Sequence, residues 1–344
     1  MAWYCPRCGQ TATAPGTCAR DGAELVGVGA QDLVGRTIGE YVVQARLGEG
    51  GFAQVYRAVH ERSGHSAALK VLDQATDEVD ALRMISEARA AAAIHHPNVV
   101  QVFGMGHTDD RRLYLVMELL AGATLAELWQ GRVPVEDVVP VAIEILRGLA
   151  AAHKAGIVHR DLKPSNVFVT GGGDASASSS FRSASASSSF GNASASSSFA
   201  RPRVTERVVI VDFGLAKRFG DPSAPALTAK GTSVGTPRYM SPEQVRGLPL
   251  DGRSDLYSLG VMMYEALAGE PPFAAASTFQ QLDAHVSATP RELPADLPKP
   301  LAAVIDRALA KDPARRFADA DEMRRALSGK SRSSRRRWWW PFSA

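Results

Sequence analysis

The chain has 344 residues, of which 45% are hydrophobic and 22% are charged, a balance that excludes a wholly disordered protein. Its formal net charge is +3, and five of its 39 basic residues lie between Lys330 and Arg337, so the rest of the chain is close to neutral. We therefore expect no nucleic-acid partner.

The cysteines and the apolar residues bear on the cellular compartment. All three cysteines fall within the first 18 residues, which argues against a disulfide framework and favours a reducing cytosol. No apolar run is long enough to cross a bilayer, and the N-terminus has no secretory leader. These features predict a cytoplasmic protein.

Residues 1–27 contain two pairs of candidate metal ligands, Cys5 with Cys8 and Cys18 with Asp21. The spacing resembles that of a zinc ribbon in which the last cysteine has become aspartate, and this resemblance implies Zn²⁺ bound by the four residues. Zinc prefers four nitrogen or sulfur ligands, but a carboxylate oxygen can serve. The alternative is a degenerate knuckle with unmetallated thiols.

Residues 36–327 have the pattern of one mixed α/β domain in which strands come first. Alternation of apolar side chains predicts a half-buried strand through Tyr41, Val43, Ala45 and Leu47. After a glycine-rich turn, further strands are predicted at Val55–Val59, Ala67–Leu72 and Leu113–Leu119.

Helices dominate the rest of this segment. Asp77–Ile94 is rich in Ala, Glu and Arg and predicts one helix that ends before His96-Pro97. Steps of three and four predict an amphipathic helix, capped by Gly156, through Val138, Ala142, Ile145, Leu149 and Ala152. Leu256–Leu267 is apolar almost all round and predicts a buried helix. Strands followed by helices indicate two lobes of different construction.

A low-complexity insertion at residues 171–203 interrupts the domain. The heptamer Ala-Ser-Ala-Ser-Ser-Ser-Phe occurs at 175–181, 184–190 and 193–199. One phenylalanine per repeat cannot bury a face as solenoid units do, and Ser and Gly leave the backbone flexible. We predict a disordered surface loop that extends a β-hairpin; the alternative is a phosphate-accepting or partner-binding segment.

Two candidate motifs lie near the start of the domain. Gly48-Glu-Gly-Gly-Phe-Ala-Gln-Val55 lies between two predicted strands, where glycines let backbone N–H groups approach phosphate oxygens. By itself this signal is weak, because glycine pairs also form ordinary hairpins. Lys70 ends an apolar run, and a lysine there needs an anionic partner or ligand. Glu87, in the next predicted helix, is a candidate partner.

Two further motifs are more specific. His159-Arg-Asp-Leu-Lys-Pro-Ser-Asn166 brings acidic, basic and amide groups together directly after a helix. Asp212-Phe-Gly214 places a carboxylate at the end of the apolar strand Val208–Val211. The occurrence of all four motifs in this order argues for a common chemical role.

In these motifs the chain resembles the eukaryotic-type protein kinase family, in particular its bacterial serine/threonine kinases, over Gly39 to Leu327. The resemblance implies an α+β, bilobal fold, with a small antiparallel β-sheet and one key helix in the N-lobe and a larger, mainly helical C-lobe. It also implies that the enzyme uses ATP and Mg²⁺ and acts on serine and threonine hydroxyls of protein substrates.

The resemblance also implies roles for individual residues. Asp161 would orient the acceptor hydroxyl and take its proton, and the other catalytic residues implied are Lys163, Lys70 and Glu87. Mg²⁺ would be held by Asn166 and Asp212. The implied nucleotide-binding residues are Gly48, Gly50, Val55, Ala68, Lys70, Met117, Glu118, Leu120 and Phe168.

Two positions depart from the family pattern. Ala53 stands at the third glycine of the loop, and Ser241 stands where the Ala-Pro-Glu motif has alanine. Both residues are small, so we still expect an active enzyme. In the same motif we expect Glu243 to pair with Arg316.

The resemblance further implies regulation by phosphorylation. Arg160 matches the arginine that reads a phosphate on the activation loop, because a poorly neutralised guanidinium attracts that anion. The candidate acceptors are Thr228, Thr232 and Ser233. We expect autophosphorylation in trans, for which a homodimer is the natural partner arrangement.

The tail at residues 328–344 is basic and then aromatic, with Trp338-Trp-Trp340 near its end. Cations suit anionic lipid headgroups and indoles suit the membrane interface. Contact with the inner face of a membrane is therefore one interpretation, and a solvated tail is the other.

Two other functions compete with this interpretation. A pseudokinase scaffold that binds nucleotide or partners without catalysis predicts the loss of Lys70, Asp161, Asn166 or Asp212, and all four are present. A small-molecule kinase has less support, because the implied role of Lys163 and of Gly235-Thr-Pro237 is to serve a protein acceptor. The sequence favours a serine/threonine protein kinase.

Overall fold

A computed structural model describes residues 2–4, 11–12, 16–20, 22, 26–28, 33–50, 53–72, 92–110, 112–171, 207–213, 237–273 and 275–329. The strands are β1 (Ala2–Tyr4), β2 (Thr11–Ala12), β3 (Val26–Val28), β4 (Thr37–Ile38), β5 (Tyr41–Gly50), β6 (Ala53–His60), β7 (Ser66–Leu72), β8 (Val102–His107), β9 (Leu113–Glu118), β10 (Gly122–Thr124), β11 (Val167–Thr170) and β12 (Arg207–Ile210). The α-helices are Leu125–Leu128, Val135–Lys154, Pro242–Val245, Gly252–Ala268, Thr278–Ser287, Lys299–Ala308 and Ala320–Leu327. Short 3₁₀ turns cover Pro164–Asn166, Pro237–Tyr239 and Pro313–Arg315.

A six-stranded antiparallel sheet in the order β4-β5-β6-β7-β9-β8 forms the first part of the domain. The predicted strands at Val55–Val59, Ala67–Leu72 and Leu113–Leu119 all lie in it, as β6, β7 and β9. The described residues after β9 are mainly helical. The predicted division into a strand-rich part and a helical part is confirmed.

The first predicted strand differs from its expected pattern at one residue. Val43 is buried, but Ala45 is exposed. The pairing of β5 with β6 shifts register between Val43 and Ala45 and again between Arg46 and Gly48. Such a bulge changes which side chains face the core, so the prediction of strict alternation is wrong at Ala45.

Strands β11 and β12, on the two sides of the low-complexity insertion, pair with each other in a small sheet of order β10-β11-β12. Thr170 lies opposite Arg207, and Phe168 opposite Val209. The chain therefore leaves and re-enters this sheet at neighbouring positions, so the insertion extends a β-hairpin, as predicted. Of the insertion itself, residues 172–203 lie outside the described part of the chain.

The two longest described helices match their predictions. Helix Val135–Lys154 buries the predicted stripe of apolar residues, and Gly156 adopts the left-handed φ of 77° directly beyond its end. Helix Gly252–Ala268 buries residues on all sides, from Ser254 to Leu267. Of the predicted helix at Asp77–Ile94, only the last residues, from 92 onward, are described.

The N-terminal segment includes a three-stranded sheet in the order β2-β1-β3. Strand β3 ends at Val28, one residue beyond the predicted boundary at 27. Cys18 is buried, but Cys5, Cys8 and Asp21 lie outside the described residues. In the described part of the chain, no group of three His, Cys, Asp or Glu side chains is arranged to hold a metal ion. Zinc binding stays a prediction.

The residues of the basic and aromatic tail from 330 onward also lie outside the described part. Among the helices that are described, none combines the length and the apolar character needed to span a membrane.

A buried histidine in the helical part is not used by any of the four motifs. His285 is fully buried, and its Nδ1 lies 2.9 Å from Tyr257 Oη. The Lys311 ammonium group donates to the backbone carbonyl of His285 at 2.8 Å. Burial, assisted by the positive charge of Lys311, lowers the pKa of His285 to about 4.

We expect this histidine to make the fold sensitive to acid. Below the ordinary pKa of 6.5 the unfolded chain binds a proton that folded His285 does not, so stability falls as the pH drops from 6.5 toward 4. The loss is up to about 1.4 kcal/mol per pH unit in that window. Urea unfolding from about pH 7 to about pH 5 measures it, and His285→Gln should have a flatter pH dependence. Equal slopes in the two proteins would contradict the prediction.

Candidate active site

The predicted site residues lie on separate segments that meet at the ends of β11 and β12. The Val211 N–H donates to the Asn166 carbonyl at 2.9 Å, which joins the segment after β12 to the loop before β11. His159 Nε2 donates to the Val211 carbonyl at 2.9 Å, and its Nδ1 accepts the Asp161 N–H at 3.2 Å. The buried His159 ring therefore holds the two segments together.

Lys70 and Asp212 are brought into contact from β7 and from the end of β12. Lys70 Nζ lies 2.6 Å from Asp212 Oδ1, and the Lys70 side chain is buried. Burial alone would raise the pKa of Asp212, but the positive charge and the hydrogen bond of Lys70 outweigh it and hold that pKa below its ordinary value. The carboxylate is therefore an anion at neutral pH. Glu87, the predicted partner of Lys70, lies outside the described residues.

Asp161, Lys163 and Asn166 form a second group on the loop before β11. Lys163 Nζ lies 3.0 Å from Asp161 Oδ2. Asn166 Nδ2 donates to the Asp161 backbone carbonyl at 2.9 Å and approaches Asp161 Oδ2 at 3.4 Å. Because the amide nitrogen is used in this way, the amide oxygen of buried Asn166 is the atom that it can offer to a cation.

The buried carboxylate of Asp255 holds the backbone of this loop. Asp255 accepts the N–H groups of His159 and Arg160 at 2.8 and 3.0 Å, and it also contacts His153 Nε2 at 2.8 Å. Burial would raise the pKa of Asp255, but the contacts with the two histidines outweigh it and lower the pKa. The resemblance to protein kinases implies that residues 255–260 begin the buried helix that anchors this loop, and the contacts of Asp255 with His159 and Arg160 confirm that expectation.

Two non-glycine residues at the site have left-handed backbone conformations, Arg160 with φ 64° and Asp212 with φ 60°. Such conformations cost about 1–3 kcal/mol each and persist only when surrounding contacts impose them. One residue directly precedes Asp161, and the other carries the carboxylate that contacts Lys70. The strained positions therefore coincide with the predicted chemistry.

Five of the implied nucleotide-binding residues lie in one apolar cluster between the two parts of the domain. The cluster contains buried Ala68 and Met117 together with half-buried Val55, Leu120 and Phe168. Phe168 and Val209 are neighbours across β11 and β12, so the cluster adjoins the segment that carries Asp212.

The glycine-rich turn and the end of β9 border this cluster. Gly48 pairs with Val55, and Gly50 with Ala53, across the turn between β5 and β6. No described atom would lie within 4 Å of a Cβ added at Gly48, so its described surroundings do not require glycine there. The Glu118 side chain contacts Arg207 at 2.5 Å, and its N–H donates to the Gln101 carbonyl.

The Ser-Pro-Glu motif is anchored by the predicted ion pair. Glu243 accepts two hydrogen bonds from Arg316, at 2.7 and 2.8 Å, and both side chains are buried. The prediction that Glu243 pairs with Arg316 is confirmed. Ser241 begins helix Pro242–Val245 as its N-cap, with its side chain accepting the Gln244 N–H.

A cavity of about 360 Å³ opens beside the loop that carries Asp161. Its lining includes Lys163, Ser165, Trp129, Tyr239 and Glu265. It is therefore large enough to take amino-acid side chains next to Lys163 and Ser165. The candidate phosphoacceptors Thr228, Thr232 and Ser233 lie outside the described residues.

The comparisons with known proteins all point to one family. The protein kinase domain family matches residues 41–327. The chain is 35% identical over 318 residues to the serine/threonine-protein kinase pkn3 of Myxococcus xanthus, covering 89% of this chain and 52% of the relative. It is 38% identical over 291 residues to the serine/threonine-protein kinase PknL of Mycobacterium tuberculosis, covering 82% and 63%.

The fold also matches a solved structure, the PknI kinase domain of Mycobacterium tuberculosis, with a TM-score of 0.60 and 26% sequence identity. The match covers 86% of this chain and 98% of that domain. The predicted bilobal fold is thereby confirmed. The chain spans between half and two thirds of the length of the two curated relatives described above.

Proposed function

Because the chain belongs to the protein kinase family, we propose that it transfers the γ-phosphate of MgATP to serine and threonine hydroxyls of proteins. The observation that carries the proposal is the convergence of Lys70, Asp161, Asn166 and Asp212, which come from three segments far apart in the sequence. Phosphoryl transfer requires alignment and charge neutralisation more than covalent chemistry, and this group supplies both.

The donor set at Asn166 and Asp212 fits Mg²⁺. An ionised carboxylate and an amide oxygen are hard oxygen ligands, and the lowered pKa of Asp212 keeps its carboxylate charged. When bound there, Mg²⁺ would neutralise phosphate charge. The Lys70 ammonium group, buried beside Asp212, would bind phosphate oxygens from the other side.

Asp161 would act on the acceptor. Its carboxylate would accept a hydrogen bond from the attacking hydroxyl and then its proton. Lys163, 3.0 Å from that carboxylate, would donate to the transferring phosphoryl group and neutralise part of its charge. The cavity beside Lys163 supports an acceptor that is part of a polypeptide, since it offers room for side chains that flank the hydroxyl.

The nucleotide would lie between the glycine-rich turn and the apolar cluster that contains Ala68 and Met117. Apolar side chains suit the faces of an adenine ring, with a few polar groups to fix its orientation. Glycine at positions 48 and 50 would let backbone N–H groups approach phosphate oxygens.

The same proposal extends to regulation and location. Autophosphorylation of Thr228, Thr232 or Ser233 in a transient homodimer would provide a phosphate that Arg160 could bind. The C-terminal tail would contact an anionic membrane surface, and the N-terminal segment would hold Zn²⁺. The sequence patterns support these parts, since the candidate acceptors, the tail from residue 330 onward and three of the four zinc ligands lie outside the described residues.

The test is incorporation of label from γ-labelled MgATP into the protein itself and into casein, followed by acid hydrolysis. We expect phosphoserine and phosphothreonine. Phosphotyrosine as the main product would contradict the acceptor class. Nucleotide binding without any transfer would instead favour the scaffold that binds nucleotide or partners without catalysis.

A further inference from the structure

We propose that Gln244 is a positioning residue for catalysis, which acts by fixing the backbone that carries Asp161. The proposal rests on the proposed kinase function for its catalytic readout. Gln244 lies in helix Pro242–Val245, and its side-chain Nε2 donates to the Arg160 carbonyl oxygen at 2.6 Å. The two residues are 84 positions apart in the sequence.

The Gln244 amide group has only one orientation that satisfies its partners. Its Oε1 accepts the Ser241 N–H at 2.9 Å while its Nε2 donates to the Arg160 carbonyl. Rotation of the amide by half a turn would place N–H against N–H and oxygen against oxygen. Because Gln244 is also only 2% exposed, water cannot readily replace either contact.

The contact acts on the peptide group that joins Arg160 to Asp161. The carbonyl side of this peptide is held by Gln244, and its N–H side donates to His159 Nδ1 at 3.2 Å. The preceding N–H of Arg160 is held by Asp255 at 3.0 Å. Three side chains from three segments therefore fix the backbone directly before the catalytic carboxylate.

Arg160 needs such support because of its conformation. Its φ of 64° is left-handed, a region that non-glycine residues occupy only when contacts impose it. If the Gln244 contact is lost, the peptide between Arg160 and Asp161 can rotate toward a commoner conformation. The Asp161 carboxylate would then move relative to the attacking hydroxyl, and displacements of about 1 Å can lower rates by about a hundredfold.

Ser241 provides a matched control within the same helix cap. Its hydroxyl oxygen accepts the Gln244 N–H at 3.3 Å, so Ser241→Ala weakens the cap but leaves both contacts of the Gln244 amide group. Gln244→Glu keeps an oxygen for the Ser241 N–H and replaces the donor to Arg160 by a second oxygen. Gln244→Met removes both contacts without adding a charge.

The experiment measures kcat and KM for MgATP and casein in wild type and the three variants. We expect Gln244→Glu and Gln244→Met to lower kcat by about tenfold to a hundredfold, with the KM for MgATP within about twofold of wild type. Ser241→Ala should retain kcat within about twofold. Equal kcat in Gln244→Met and Ser241→Ala would overturn the proposal, whatever their relative stabilities.

A second measurement does not depend on activity. Amide hydrogen exchange of the peptide that covers residues 159–162 should be faster in Gln244→Met than in wild type and unchanged in Ser241→Ala. Unchanged exchange in Gln244→Met would overturn the proposal even if the wild-type protein transferred no phosphate. An inactive wild type would count against the kinase function alone.

Discussion

Replacing Asp161 with asparagine should lower kcat for phosphate transfer by about 10² to 10⁴, the range associated with loss of a general base. Asparagine has the same shape but can neither accept the hydroxyl proton nor attract Lys163, which lies 3.0 Å from the carboxylate. Affinity for ATP should stay within about twofold, because the apolar cluster, Lys70 and Asp212 are unchanged. Steady-state kinetics with casein, combined with a nucleotide-binding titration, measures both effects.

Asp296→Asn is the matched control. Asp296 also pairs with a cation, Arg132, at 2.6 Å, but it is exposed at the protein surface. The same chemical change there should alter kcat by less than about twofold, because exposed ion pairs contribute little. If Asp161→Asn retained more than about a tenth of the wild-type rate, the assignment of Asp161 as the proton acceptor would be wrong.

The second large effect concerns stability and the buried Arg316. Its guanidinium group makes five hydrogen bonds, two to the Glu243 carboxylate and three to the backbone carbonyls of Arg253, Ala310 and Lys311. Arg316 also lies over the Tyr257 ring, 4.8 Å from its centre. The Arg316 guanidinium group therefore joins the Ser-Pro-Glu motif to two segments of the helical part.

Arg316→Met should lower the free energy of unfolding by about 3–5 kcal/mol, because removing one partner leaves a buried charge without compensation. The uncompensated group is Glu243, which is buried and whose remaining described side-chain contact is the Ser254 hydroxyl at 2.6 Å. Burial would raise the pKa of Glu243, and Arg316 now holds it below its ordinary value. Urea unfolding at neutral pH measures the loss.

Arg307→Met controls for the substitution itself. Arg307 also pairs with a carboxylate, that of Glu322 at 2.8 Å, and lies over an aromatic ring, that of Phe317 at 4.2 Å. Its side chain is 44% exposed, so its loss should cost no more than about 1 kcal/mol. Similar losses of unfolding free energy in Arg316→Met and Arg307→Met would contradict the prediction that the buried Glu243–Arg316 pair contributes more than an exposed pair.

A double variant separates the pair from its surroundings. Glu243→Leu combined with Arg316→Met removes both buried charges, so it should be less destabilised than the sum of the two single variants. The three backbone carbonyls that accept hydrogen bonds from Arg316 would still lose their donor. We therefore expect partial, not complete, recovery of stability.

Much of the fold could be predicted because the signals are local. The stripe in helix Val135–Lys154 and the apolar run in Gly252–Ala268 depend on side chains a few residues apart, and their period specifies the secondary structure. The prediction was wrong at Ala45, where a bulge changes the facing of the strand. A bulge depends on pairing with a second strand, which the period of one strand cannot reveal.

The candidate site also contains residues that could be predicted from the sequence and residues that could not. Lys70, Asp161, Asn166 and Asp212 were predictable from motifs in a fixed order. Of their supports, the helix that begins near Asp255 was expected from the family resemblance, but the Gln244 contact was not, because Gln244 binds the Arg160 carbonyl from 84 positions away in the sequence. Gln244 has no local pattern that distinguishes it from an ordinary helix residue.

The sequence by itself therefore determined the family, the placement of strands before helices in the domain, and the candidate residues for its chemistry. Only the tertiary structure decided that Lys70 contacts Asp212 and that Gln244 contacts Arg160. The physical reason is how far apart in the sequence the interacting residues lie. Periodicity and turn preferences act between neighbours in the chain, whereas a hydrogen bond requires two distant segments to pack within about 3 Å of each other.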